Sequence, residues 1–363
     1  MRIQALFVAL IPIFGSAAAE ENEDKTHQIF SRSLSCAHRM WPSEDSDLRS
    51  LKTHPIYFLD VEAKKVCLEA GYGCKPVSSR IFKDPGFQQA LEGFSGYSRY
   101  FSSGTGQEHL ILNASRSDFK KRASEQNAEI IAHLEKRYFQ CRDHASERTV
   151  PMKAPHKYFE AIFSLEGVSG FVMHEHFHMF QRTWGPLPTY GISARVADEE
   201  RFVALLERFV FHLMSLNRLL LTNSSDAPRA FSAARHYFEQ LQTDHWTQLS
   251  EIDNREEGTA AYVDARAQAL WRLGCDAAEH EIQENVFEIL NSTTAVHGIR
   301  SPYSLTPLAA QALALLQKPQ WERRTAKGEG TPVEILFSEG PSARDPGDLD
   351  EGKALVRCLV VSD

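Results

Sequence analysis

His174-Glu175-His176-Phe177-His178 is a complete H-E-x-x-H run, and it constrains the fold more than any other segment because its chemistry requires a helix. Residues four apart lie on one face of an α-helix, so His174 and His178 can converge on one metal ion while Glu175 stands at the edge of that face. Neutral imidazoles suit zinc, and a catalytic zinc site takes three protein ligands and leaves the fourth position to water. A carboxylate beside a ligand can hydrogen-bond that water, take its proton as it attacks a carbonyl, and pass the proton to the leaving group. The run therefore predicts one Zn2+ per chain, His174 and His178 as ligands and Glu175 as the acid–base residue. His176, two helical steps from His174, is carried about 200° around the helix, which predicts a packing or surface role.

A third ligand must come from elsewhere. The helix-like run that begins at Arg255 offers two adjacent acids, Glu256 and Glu257, which point about 100° apart on a helix, so only one can face the metal. Downstream, His297, Arg300 and Tyr303 cluster after the last long helical stretch. Each could donate to the oxyanion of a tetrahedral intermediate, and Tyr303 is the expected catalytic member. A second E-x-x-H, which a di-iron carboxylate bundle would need, is absent from the sequence.

These residues together resemble the gluzincin zinc metallopeptidases, the thermolysin-like group. Members carry H-E-x-x-H on one helix and a zinc-binding Glu on a second, and many have Gln three residues after the second His, as Gln181 stands here. The run Glu257-Gly258-Thr259-Ala260-Ala261-Tyr262-Val263 is similar to the second helix of such proteins. The resemblance implies Glu257 as the third ligand, peptide or protein as substrate, and an α+β fold: a mostly helical zincin-like catalytic domain with a small mixed sheet preceding the H-E-x-x-H helix. Tyr303, the apolar helix after it and Trp321-Glu322-Arg323 resemble a C-terminal element of several members. The chain departs from the pattern twice. Residues 179–256 form a long insertion between the two motifs, and Ala261 stands where members commonly have an acid, so a carboxylate to orient a ligand histidine must come from Asp264 or from elsewhere in the chain. A non-catalytic secreted zinc-binding or interaction protein that keeps a zincin fold is the alternative; Glu175, which metal binding alone does not require, favours catalysis.

The amino terminus reads as a secretory signal, with Arg2, an apolar run from Ala5 to Phe14 and Gly15-Ser16-Ala17-Ala18-Ala19 before Glu20. Cleavage near Ala19 and a secreted or periplasmic location are expected. No later apolar stretch approaches the roughly 18 residues of a membrane span, so no stable membrane insertion is expected. The whole chain, at a formal net charge of −8, has no basic block that tracks phosphates, which argues against a nucleic-acid partner. Six cysteines, at 36, 67, 74, 141, 275 and 358, would enter an oxidising compartment and could form up to three disulfides, whose pairing the sequence leaves open. Oligomeric state is likewise open.

The domain reading follows the motifs: signal peptide 1–19, a mixed α/β region 20–156, a helical catalytic region 157–326 and a tail 327–363. Within it, strands are expected at 56–61, 109–112, 158–163 and 354–361, the third as an edge for substrate backbone. Helices are expected at 117–140, 167–182, 197–221, 227–249, 255–273, 277–290 and 306–316.

Overall fold

The computed structural model describes residues 26–41, 164–186, 199–318 and 320–338, with a few short backbone segments between 56 and 113. The expected signal, the stretch 117–140 and the expected strands 158–163 and 354–361 lie outside the described residues.

Two short helices, α1 (Thr26–Leu34) and α2 (Ala37–Met40), open the described chain. Five strands follow: β1 (Ile56–Asp60), β2 (Lys65–Leu68), β3 (Cys74–Pro76), β4 (Tyr97–Phe101) and β5 (Glu108–Asn113). Their backbones pair in the order β3-β2-β1-β5-β4, parallel between β1 and β5 and antiparallel elsewhere. The rest is helical: α3 (Leu165–Gln181), α4 (Glu199–Leu221), α5 (Ala227–Asp244), α6 (Trp246–Ile252), α7 (Arg255–Leu273), α8 (Glu279–His297), α9 (Leu305–Leu315), α10 (Trp321–Ala326) and α11 (Pro332–Ser338).

The α+β expectation is corrected by this architecture. Among the residues whose side chains are placed, 78% are helical and none lies in a strand, so the fold is mostly helical. The physical reason lies in α3, whose residues from Gly167 to Gln181 are nearly all buried. A helix that is buried all round needs cover on every side, and here helices supply it. α7 packs along one flank and α1 along another. On the α1 side, Ser33 and Ser169 share a hydrogen bond at 2.6 Å and the Phe30 ring meets His176 edge-on at 5.0 Å. His176 is thus a packing residue, as its helical phase predicts.

The insertion between the motifs is an antiparallel pair, α4 on α5, and α4 also packs against α9. The buried Asn217 amide on α4 donates to the carbonyl of Leu308 on α9 at 3.0 Å. The insertion thereby backs the helix that follows Tyr303. Residues 332–338, inside the expected tail, form α11 and pack on α9. A disulfide joins Cys36, between α1 and α2, to Cys275, just past α7. Beside it, the Arg39 guanidinium donates to the carbonyls of Cys275 and Ala277 at 2.7 and 2.6 Å.

Candidate metal centre

Local sequence sets both ligand helices. The Ser164 hydroxyl caps α3 by accepting the N–H of Gly167 at 3.1 Å. Asn254 caps α7 by accepting the N–H of Glu257 at 3.0 Å. Such caps satisfy backbone donors that a helix start leaves without partners, and the second one fixes the turn that carries Glu257.

His174 Nε2 and His178 Nε2 lie 3.1 Å apart. Glu257 Oε2 is 3.5 Å from the first and 3.6 Å from the second. Two donors held at the usual zinc distances around a tetrahedral ion stand about 3.3 Å apart, so these three atoms form a triangle of the size one zinc ion spans. Glu256 points elsewhere: its side chain is 60% exposed and lies 3.5 Å from the Arg255 guanidinium. The phase argument that only one of the two acids can face the histidines therefore resolves to Glu257. Glu175 is buried, and its ligand-capable atom lies within 4.8 Å of those of His174 and His178. A second carboxylate thus borders the same space from a neighbouring helical direction.

The electrostatics favour a cation. Burial pushes the Glu257 carboxyl up, but the two imidazoles that face it at 3.5 and 3.6 Å outweigh it and hold the group well below the usual carboxylate range. Burial pushes the His174 imidazole down, but Glu257, Glu175 and Asp264 outweigh it and hold it above its ordinary value. Three carboxyl groups therefore act on one imidazole in a buried setting.

Asp264 acts on His174 through its charge, while its Oδ1 accepts from the Gln268 amide at 2.7 Å. Its Oδ1 occupies the space where a Cβ on Gly170 would lie, 1.9 Å from that position, and Gly170 is one turn before His174. Helical side chains lean toward the amino terminus, so His174 leans over this gap. Burial lifts the Asp264 carboxyl to about 6, against the charge of His174.

Tyr303 also joins the site. It is 5% exposed and its hydroxyl donates to Glu257 Oε2 at 3.0 Å. The His297 ring lies tilted against it, ring centres 5.4 Å apart, and burial lowers its imidazole to about 4, so it stays neutral in ordinary buffers. Arg300 is not brought in, because its guanidinium is ion-paired with Glu199 at the start of α4. The sequence marks Gln181 only as part of a motif and gives no separate signal for Thr259. The structure shows the Gln181 amide between His178 and α7, touching Thr259. The spacing of Gln181 from His178 was visible, but its partners across residues 179–256 were not.

No family model, curated protein or solved structure matches the chain, so the functional reading rests on the geometry of this site.

Proposed function

We propose that the chain is an exported zinc-dependent metallopeptidase, with one zinc ion held by His174, His178 and Glu257. The observation that carries this reading is the donor triangle, 3.1 to 3.6 Å on a side, built by two residues of α3 and one of α7. Two imidazoles and a carboxylate are a catalytic zinc set that leaves a fourth position open. A zinc ion held by His174, His178 and Glu257 would supply Lewis acidity that polarises a carbonyl and makes hydroxide available near neutral pH. Glu175 takes the proton of the attacking water and returns it to the leaving amine. The Tyr303 hydroxyl, which donates to Glu257 Oε2, would redirect its single proton to the oxyanion that develops on the scissile carbonyl. Peptide or protein is the substrate. The leader-like amino terminus supports export, and the Cys36–Cys275 bridge suits an oxidising compartment.

Metal analysis and cleavage assays test the proposal together. Protein purified without added zinc should carry about one zinc per chain, and both His178→Ala and Glu257→Ala should lose it. Glu175→Gln should keep the metal and lose about 10² to 10⁴-fold in cleavage of a peptide library. Stoichiometric zinc in both ligand variants would sink the metal assignment. Chelator-sensitive cleavage at the wild-type rate in Glu175→Gln would sink the role of Glu175. A wild type that holds zinc and cleaves nothing would favour a non-catalytic zinc-binding protein.

A further inference from the structure

Gln181 lies just under one turn beyond His178 and is 5% exposed. Both ends of its amide are engaged. Oε1 meets His178 Nδ1 at 2.7 Å. Nε2 lies 2.7 Å from the carbonyl oxygen of Glu256 and 2.7 Å from the Thr259 hydroxyl. A carbonyl oxygen only accepts, so Glu256 fixes which way the amide is turned: Nε2 faces α7 and Oε1 faces His178. The Thr259 hydroxyl agrees, because it donates its own proton to the Arg255 carbonyl at 2.7 Å and is left to accept. Oε1 also only accepts, so His178 Nδ1 carries the proton. The imidazole lone pair then sits on Nε2, the nitrogen that belongs to the donor triangle.

We infer that Gln181 is a positioning residue that holds His178 in the Nδ1–H tautomer and ties the first turn of α7, which presents Glu257, to the helix that presents both histidines. One amide thereby sets the lone pair of one ligand and the placement of another. The inference rests on the zinc reading proposed above, but it makes a statement about the metal-free protein that can fail separately.

Nitrogen-15 NMR of the zinc-free wild type at mildly alkaline pH reads the tautomer directly. His178 should be protonated on Nδ1, although free imidazole side chains favour Nε2–H; finding Nε2–H would overturn the inference. Zinc affinity, measured by chelator competition, supplies the second arm. Gln181→Met removes both hydrogen-bonding functions at similar volume and should weaken zinc binding about 10 to 100-fold, the usual cost of losing a group that orients a ligand. Gln181→Glu restores an acceptor for Nδ1–H and should bind zinc at least tenfold more tightly than Gln181→Met. It should also melt at a lower temperature than wild type, because a carboxylate oxygen would then face the Glu256 carbonyl. Wild-type affinity in Gln181→Met, or no recovery in Gln181→Glu, would overturn the inference. If Gln181→Met fails to fold, the tautomer of the wild type decides. A wild type that takes up no zinc would remove the metal reading and leave the tautomer measurement to judge Gln181.

Discussion

Two glycines hold the ligand helices close to their neighbours, and they do so with different tolerance. A Cβ on Gly258 would lie 2.2 Å from Cβ of Thr306, part of a stiff β-branched side chain that is itself buried. Gly258→Ala should therefore push α7 from α9 and cost about 1–3 kcal/mol, seen as a lower melting temperature. On Gly170 the Cβ would meet the terminal Oδ1 of Asp264 at 1.9 Å and Cγ of Gln268 at 2.7 Å, both on side chains not branched at Cβ, which can turn where Thr306 cannot. Gly170→Ala should thus disturb stability less and zinc affinity more, since it moves a carboxylate whose charge acts on His174; chelator competition would show it, and unchanged affinity would deny Asp264 that role. His174, Glu175 and His178 were legible in the sequence because four-residue spacing is a local property of one helix. Glu257 was legible through its own helix and the resemblance it carries. Arg300 and Tyr303 are neighbours in sequence and part company in space, one to Glu199 and one to Glu257, a choice made by partners far along the chain.

The junction between α6 and α7 carries a buried acid with a consequence for pH. Asp253 accepts hydrogen bonds from the hydroxyls of Thr306 and Thr331 at 2.7 and 2.5 Å, which pins α9 and the approach to α11 to the start of α7. Burial lifts its carboxyl from 3.8 to about 7, despite those two hydrogen bonds. Between these values the folded protein keeps a proton that the unfolded chain has released, so this group makes stability fall as pH rises through the window. Asp253→Asn is expected to flatten that fall, and melting curves at several pH values would check it; an unchanged slope would show that Asp253 does not titrate there. Helix limits were read well where caps or glycines mark them, as at Asn254 and Gly274 for α7, which runs over the expected 255–273. The break between α5 and α6 was missed. The amphipathic pattern runs on past His245, whereas the buried ring lies 5.5 Å from Phe202 of α4 and the backbone leaves helical dihedrals there. α10 and α11 were missed as well, since helices of six and seven residues are too short to form alone and are held by tertiary packing.

Across the whole molecule, the step that sequence could not supply was how the site helix is covered. The run Gly167–Gln181 gives its own helical period but not the identity of its neighbours, and those are α1, from the start of the described chain, and α7, far downstream at 255–273. The Cys36–Cys275 bridge spans a sequence separation of 239 and fastens the α1–α2 segment across the back of the assembly. Closing so long a loop in the unfolded chain stabilises the native state by about 2–5 kcal/mol. The double change Cys36→Ala with Cys275→Ala should lower the melting temperature while zinc remains bound up to unfolding, as paired melting and metal-release curves would record. Synthesis order gives the same bridge a second meaning. During translation the motif at 174–178 emerges about a hundred residues before its covalent seal, and α8, α9 and Tyr303 emerge later still. A polypeptide released before residue 275 is expected to hold no zinc and to be digested readily by an added protease. Chains truncated at successive lengths would show whether zinc binding and resistance to digestion arise only near the end of biosynthesis.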